Sequence, residues 1–306
     1  MPSLSSPVLE LYLRLIGGVV LGWFLGRILP NLAAAYLGKF LFWLGVPIGI
    51  IAFLRGADLS GPIWVAPVVA WVAILLGAGL AWVWMRQKSY QNKPFQVSFL
   101  LASMVGNTGY LGYPINLALV GEKYFGWAVF YDLLGTTLGA YGLGVVLAAY
   151  LGRQLQSGWQ LIRVVLTNPA LWSLGIGLWF RQIPLPEPAE ASLQALGWTV
   201  ISLSLLLIGM RLSQLHSLRN LQPASVSLGI KMLLVPLLLG VGISLIGISG
   251  PPQLVMVLQM SMPPAFATLV IAEAYDLDRE LTVTALAAGS SGILLTLPIW
   301  LLLFGG

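Results

Sequence analysis

Polar and helix-breaking residues interrupt an apolar stretch at positions 106–114, where Asn107 and Thr108 supply an amide and a hydroxyl. The apolar run covers about residues 95–120, and roughly 20 apolar residues are enough to cross a bilayer. Three glycines and Pro114 weaken a helix in the middle of that run. Lipid cannot satisfy the backbone groups that a break releases, so a break must face protein or a water-filled cavity. The pattern predicts a binding site at a broken helix, or alternatively a structural kink.

A second interruption, Met262-Pro263-Pro264, lies inside another apolar segment near the end of the chain. Paired broken helices in corresponding positions of two halves are the sequence signature of a substrate site in secondary transporters. Half-helix N-termini at both breaks would also present backbone N–H groups to an anion. The predicted substrate-binding residues are Asn107, Thr108, Gly109, Pro114, Gln259, Pro263 and Pro264.

Asp132 is an acidic residue inside the fifth apolar segment, and such a residue is a functional-site hypothesis by default. In a regular helix Thr136 lies on the same face, four residues further on. Ser290 and Ser291 follow in the last segment, and the spacing from Thr136 to Ser290 equals that between the two breaks. These four residues are predicted to form an ion or proton site. The alternative is that Asp132 reaches water at the segment's outer end and that the serines serve tight helix packing.

The composition identifies an integral membrane protein, because 58% of the residues are hydrophobic, 8% are charged and the mean hydropathy is +0.91. The net charge of +5 is spread over the connections and is typical of membrane topology rather than of nucleic-acid binding. The absence of cysteine excludes disulfides, thiolate metal sites and cysteine nucleophiles. No metalloprotease or serine-hydrolase motif is present. We therefore predict neither an enzyme nor a bound cofactor or metal.

The apolar residues predict an all-α polytopic fold of about ten transmembrane helices. The segments are approximately 8–29, 34–54, 63–85, 95–120, 124–151, 162–180, 190–211, 223–248, 251–275 and 280–304. Two homologous halves with five spans each would have opposite orientations, as in the inverted repeats of many transporters. The predicted repeats are residues 1–155 and 156–306, with the two broken helices fourth and ninth among the spans.

Basic residues predict the orientation, because cytoplasmic connections carry more Lys and Arg. Only Arg14, Arg55, Lys123 and Arg181 fall on one side, and the rest of the 15 Lys and Arg residues fall on the other. This bias predicts a protein of the plasma (inner) membrane with both termini on the extracytoplasmic side. Lys39 and Lys231 are assigned to cytoplasmic ends of their spans, where their side chains would snorkel to the surface, and the alternative is that either attracts the substrate.

The motif Gly106-Asn107-Thr108-Gly109-Tyr110-Leu111-Gly112-Tyr113-Pro114 resembles the signature of the auxin efflux carrier family, within the bile acid, auxin and arsenite transporter superfamily. Thr167-Asn168-Pro169 and Ser261-Met262-Pro263-Pro264 also match, and the resemblance spans essentially the whole chain. It implies the fold of plant PIN transporters and bile-acid sodium symporters, in which two inverted repeats cross at their broken helices. It also implies a scaffold domain from helices 1, 2, 6 and 7, a transport domain from helices 3–5 and 8–10, and homodimers that carry organic anions.

Two features depart from the plant members of that family. The connection at 152–161 is far shorter than the cytoplasmic loop of plant PIN proteins, and segment 63–85 has no acidic residue. We predict an elevator-type carrier for a small organic anion, either a carboxylate, an auxin-like acid or a dicarboxylate, bound where the broken helices cross. A Na⁺- or H⁺-coupled symporter of a neutral or bile-acid-like solute and a non-transporting membrane sensor stay open as alternatives. The partners expected are the substrate, the lipid bilayer and a second copy of the chain, with no nucleic acid.

Overall fold

The described part of the chain is mostly helical, and this computed structural model covers residues 7–88, 92–151, 166–214 and 220–305. Within those ranges the backbone forms no strand, and its one extended pairing is an isolated antiparallel bridge between Gly106 and Pro264. The predicted boundary between the repeats, at residues 155 and 156, lies outside the described residues.

Fifteen α-helices follow one another along the described ranges. The first eight are α1 Pro7–Ile28, α2 Asn31–Phe40, α3 Val46–Gly56, α4 Val65–Gln87, α5 Lys93–Met104, α6 Tyr113–Leu119, α7 Phe125–Tyr131 and α8 Val145–Leu151. The others are α9 Pro169–Phe180, α10 Glu187–Ser213, α11 Leu221–Leu228, α12 Val235–Leu245, α13 Pro251–Met260, α14 Phe266–Ala274 and α15 Arg279–Phe304.

Six continuous helical stretches among the described residues are long and apolar enough to cross a membrane. They are Leu32–Gly56, Val65–Gln87, Glu122–Ala149, Glu187–Ser213, Leu221–Leu245 and Arg279–Phe304. Ile16–Ile28 and Pro169–Phe180 are shorter apolar helices, and the predicted fourth and ninth segments each hold two short helices. The protein is an all-helical, multi-pass membrane protein, whereas ten spans and an inverted repeat stay predictions.

Several spans contain wide, π-helical turns, and three of these end immediately before an X–Pro pair. The turns Leu41–Gly45, Thr108–Gly112 and Gly229–Leu234 precede Pro47, Pro114 and Pro236. Proline has no N–H group, so the carbonyl four residues earlier loses its helical donor and the turn can widen. Two further wide turns, Asp132–Thr137 and Gly139–Gly144, follow each other in the fifth apolar segment. Three of these turns carry buried polar side chains, namely Thr108, Asp132 and Lys231, and π-helical turns often mark functional positions.

The chain divides into two compact units. Unit 1 comprises the described residues within 1–59, 109–129 and 168–216, and unit 2 comprises those within 60–108, 130–167 and 217–306. The assignment of scaffold and transport roles to particular helices stays a prediction.

Unit 1 is held together by small residues and by one buried cation. Gly22 and Gly26 of α1 face Leu206 and Met210 of α10 so closely that a side chain at either glycine would overlap the partner backbone. Close approach of this kind is the usual way in which membrane helices pack. Arg55 donates to both carboxylate oxygens of Glu190, at 2.9 and 3.0 Å, and its guanidinium also donates to backbone carbonyls at the end of α9 and in the following loop.

Unit 2 packs α4 against the wide turn that contains Asp132. The indole N–H of Trp71 donates to the carbonyl of Leu134 at 3.0 Å. At Gly135 a Cβ atom would overlap the side chain of Ala70, so glycine is needed for this approach. The packing places Asp132 inside the unit, where 7% of its surface is exposed.

Candidate functional site

The two predicted interruptions are real breaks, and within unit 2 they pair with each other. The first break, residues 105–107, follows α5, and the second break, residues 261–265, separates α13 from α14. The N–H of Asn107 donates to the carbonyl of Pro263 at 2.7 Å, and the N–H of Ala265 donates to the carbonyl of Val105 at 3.1 Å. The breaks therefore form a minimal antiparallel ladder deep in the unit.

This pairing changes what the breaks offer to a ligand. The sequence predicts free backbone N–H groups at both half-helix ends, but those of Asn107 and Ala265 already have carbonyl partners in the opposite break. Buried backbone groups must be satisfied, and here each break satisfies the other. Recognition at this place consequently depends more on side chains than the sequence alone indicates.

Asn107 is the clearest candidate ligand-binding side chain. Its exposed fraction is 3%, and its amide nitrogen has no hydrogen-bond partner among the described residues. Buried amide donors are nearly always paired in native proteins, so an unpaired one needs an explanation. A bound substrate or an ordered water would supply the missing acceptor.

Thr108 and Asp132 are brought together, although they are 24 residues apart in sequence. The hydroxyl of Thr108 donates to Oδ1 of Asp132 at 2.5 Å, a distance typical of a hydrogen bond to a carboxylate. The hydroxyl of Thr137 lies 3.4 Å from the same oxygen. Thr136 is buried beside them, but the wide turn moves the hydrogen-bonding position from the fourth to the fifth residue after Asp132.

Lys231 is the functional candidate that the sequence analysis placed wrongly. The prediction that it snorkels to the cytoplasmic surface is wrong, since its exposed fraction is 4% and its ammonium donates to the carbonyl of Met260 at 2.5 Å. A Cβ atom at Gly106 would lie 3.1 Å from both Cε and Nζ of Lys231. The ammonium therefore lies against both breaks. Apolar residues flank Lys231 on each side in the sequence, and that signal was sufficient to identify an intramembrane cation.

Among the described residues, the groups around Asp132 are hydrogen-bonded to one another. Hard cations bind several converging oxygen ligands, whereas two hydroxyls here donate to one oxygen of Asp132 and an ammonium lies beside Gly106. Throughout the described ranges, no three His, Cys, Asp or Glu side chains cluster as metal ligands would.

The other predicted site residues have different environments. Gln259 is fully buried one residue before Met260, and Ser290 is buried with its hydroxyl unpaired among the described residues. Ser291 is exposed, so the structure does not bring it to the buried groups. Gly109 and Pro114 belong to unit 1, where Pro114 is buried in the first turn of α6.

Comparison with known proteins identifies the family. A family profile described as "Membrane transport protein" matches residues 4–301. A relative from Methanothermobacter thermautotrophicus, described as an uncharacterized transporter, is 28% identical over 297 residues, or 95% of this chain and 96% of that protein. Another described in the same way, from Methanocaldococcus jannaschii, is 28% identical over 217 residues, or 66% of each chain. The predicted resemblance is thus confirmed, and the chain belongs to the auxin efflux carrier family of membrane transport proteins.

Proposed function

We propose that this membrane transport protein is a secondary carrier for a small organic anion, with a carboxylate held at the paired breaks. The observation that carries the proposal is the position of Lys231, whose ammonium is buried against Gly106, the residue that precedes Asn107 with its unpaired amide donor. A buried cation and a buried N–H donor at neighbouring positions of the first break favour a negatively charged ligand.

The electrostatic attraction is large enough to matter. Opposite unit charges about 3 Å apart at an effective dielectric constant of about 20 attract by roughly 5.5 kcal/mol. Desolvation of both groups offsets part of this attraction, and the hydrogen bond from Asn107 adds about 1.5–3 kcal/mol because its acceptor would be charged. The sum is compatible with a carrier that must bind its substrate and then release it.

In the proposed cycle, an elevator-type movement of a transport domain carries the bound anion across the plasma (inner) membrane. Both termini lie on the extracytoplasmic side, and two copies of the chain assemble as a homodimer. Family membership and the charge bias of the connections support these points. A neutral solute, including an uncharged bile-acid-like one, is less well supported as the substrate, because it would bring no negative group to neutralise the ammonium of Lys231.

Asn107→Ala tests the site directly. The protein is reconstituted into liposomes, and the uptake of radiolabelled lactate, pyruvate, benzoate and an indole carboxylate is recorded. Losing a hydrogen bond to a charged acceptor should weaken the apparent affinity about 10- to 100-fold. Asn168→Ala is the matched control, because Asn168 is also buried but caps α9 by accepting from the N–H of Ala170.

The control variant should lose about 1 kcal/mol of stability and retain the wild-type substrate affinity. Folding of both variants is checked by size-exclusion chromatography and thermal melting. Equal affinities for Asn107→Ala and wild type would remove Asn107 from the site. Saturable binding without flux for every carboxylate would instead identify a sensor.

A further inference from the structure

Two opposite charges flank the first break inside unit 2. Lys231 lies against Gly106, and Asp132 accepts a hydrogen bond from Thr108. Asn107, with its unpaired amide donor, lies between Gly106 and Thr108 in the chain. In the described part of unit 2, Asp132 and Lys231 are the only buried charged residues.

This pair makes the interior of the ligand-free unit electrically neutral. An uncompensated charge inside a membrane protein is costly, so such charges are paired or are neutralised by protonation. A monocarboxylate that binds beside Asn107 would add one negative charge. The site would then hold two carboxylates and one ammonium.

We propose that Asp132 takes up one proton for each monocarboxylate that binds, so that the protein is a proton-coupled anion symporter. The inference rests on the proposed function, namely that the paired breaks hold a carboxylate. In the ligand-free state the Lys231 ammonium balances the Asp132 carboxylate. In the loaded state it balances the substrate carboxylate, and a proton from the same aqueous side forms the O–H bond of a neutral Asp132.

On release to the other side, that O–H bond breaks and the proton leaves with the anion. One carboxylate and one proton cross together, so the buried charge sums to zero in both states. Transport of a monocarboxylate is therefore electroneutral.

Thr108 couples the two events as a positioning residue. A hydroxyl has a single proton, so Thr108 can donate either to Asp132 or to a substrate. While Asp132 is ionised, it holds the Thr108 hydroxyl at 2.5 Å. Once Oδ1 of Asp132 carries a proton, that O–H can donate to the Thr108 oxygen, and the Thr108 hydroxyl can turn its own proton to a substrate carboxylate.

The surroundings of Asp132 contain few other groups that could take this proton. The wide turn of Asp132 packs against α4, which has no charged residue between Val65 and Met85, and against the turn 139–144, where Tyr141 is titratable. Tyr131 precedes Asp132 and is buried. Lys231, which lies against Gly106, is a further titratable group described at the first break.

The stoichiometry is measured first on wild-type protein in liposomes with radiolabelled lactate and an internal pH dye. One proton should enter with each lactate. An inside-alkaline gradient of one pH unit should give about tenfold lactate accumulation, and an imposed potassium diffusion potential should not change that ratio. Protein-free liposomes correct for lactic acid that permeates the lipid.

In Asp132→Asn the side chain at position 132 is uncharged, as in protonated Asp132, so this variant should still bind lactate. Its uptake should lose the tenfold response to the pH gradient and become voltage-driven, with one negative charge moved per lactate. Asp276→Asn is the matched control, because Asp276 is exposed and its positive φ of 50° is tolerated by asparagine. The control should behave like wild type.

Lactate uptake by wild-type protein without proton entry, or with an unchanged proton response in Asp132→Asn, would overturn the coupling but leave the anion carrier intact. If no carboxylate in the panel is transported by wild-type protein, both proposals fail. The wild-type measurement decides the matter even if Asp132→Asn does not fold.

Discussion

Replacing Gly106 with alanine should weaken substrate binding without unfolding the protein. The new methyl group would lie 3.1 Å from Cε and Nζ of Lys231 and 3.3 Å from the carbonyl oxygen of Met262. The φ of Gly106 is not positive, so alanine introduces no backbone strain. The substitution therefore acts by displacing the lysine side chain, which is the more mobile of the two neighbours.

The expected effect follows from the size of that displacement. Relieving the contact requires a shift of a few tenths of an ångström. If the ammonium moves from about 3.0 to about 3.4 Å from a bound carboxylate, the attraction falls from about 5.5 to about 4.9 kcal/mol at an effective dielectric constant of about 20. A loss of about 0.6 kcal/mol corresponds to a roughly threefold weaker affinity.

The half-saturating carboxylate concentration is measured from the uptake of radiolabelled substrate by liposomes, with Gly229→Ala as control. Gly229 lies in the same span as Lys231, and a Cβ atom there would meet nothing within 4 Å. The control should retain wild-type affinity and should report any general effect of an added methyl group. Identical affinities for the two variants would refute the placement of the ammonium at the substrate site.

Two further substitutions test the packing inside unit 1. Gly22→Ala should lower the melting temperature in detergent by several degrees, equivalent to about 1–3 kcal/mol, because the methyl would overlap the carbonyl oxygen of Leu206. Gly17→Ala, with nothing within 4 Å of the new methyl, should melt like wild type, and equal melting of both variants would contradict the close helix contact. Arg55→Met should lower the free energy of unfolding by about 1–3 kcal/mol, because it leaves Glu190 and two backbone carbonyls without their donor. The 31% exposure of the Glu190 side chain limits this loss. An unchanged melting temperature would show that the ion pair contributes nothing.

The positions of the breaks were predictable because they depend on local chemistry. Glycine and proline at 106–114 and 262–264 act within one turn of helix, so the sequence is enough to locate them. Asp132 was also identifiable, since an acidic residue in an apolar segment is rare enough to stand out. Its bond to Thr108 was not predictable, because it joins two spans.

The misassignment of Lys231 has a different origin. Counting Lys and Arg residues near segment ends treats each as a surface charge, and Lys231 was assigned to a cytoplasmic end on that basis. The wide turn Gly229–Leu234 holds this residue inside unit 2, where the carbonyl of Met260 accepts a hydrogen bond from its ammonium. The excess of basic residues on the predicted cytoplasmic side remains when Lys231 is left out of the count, because most of the other Lys and Arg residues fall on that side.

Which threonine bonds to Asp132 depends on whether the helix is regular at this point. Positions four residues apart share a face when each turn has 3.6 residues, which favours Thr136 as the neighbour of Asp132. The π-helical turn adds a residue, so the hydroxyl of Thr137 reaches Oδ1 instead. Glycine-rich turns of this kind depend on contacts with α4, which a single sequence does not specify.

The mutual pairing of the breaks restricts where substrate selectivity can reside. Since the N–H groups of Asn107 and Ala265 are used by the opposite break, those backbone groups stay satisfied when the site is empty. The site can therefore lose its ligand without leaving these buried donors unpaired, as a carrier that releases its cargo requires. The groups left to distinguish one ligand from another are side chains: the amide of Asn107, the hydroxyl of Thr108 and the ammonium of Lys231. Substitutions of these side chains should change which anion is carried. Substitutions of Pro263 and Pro264 should instead change whether the unit folds.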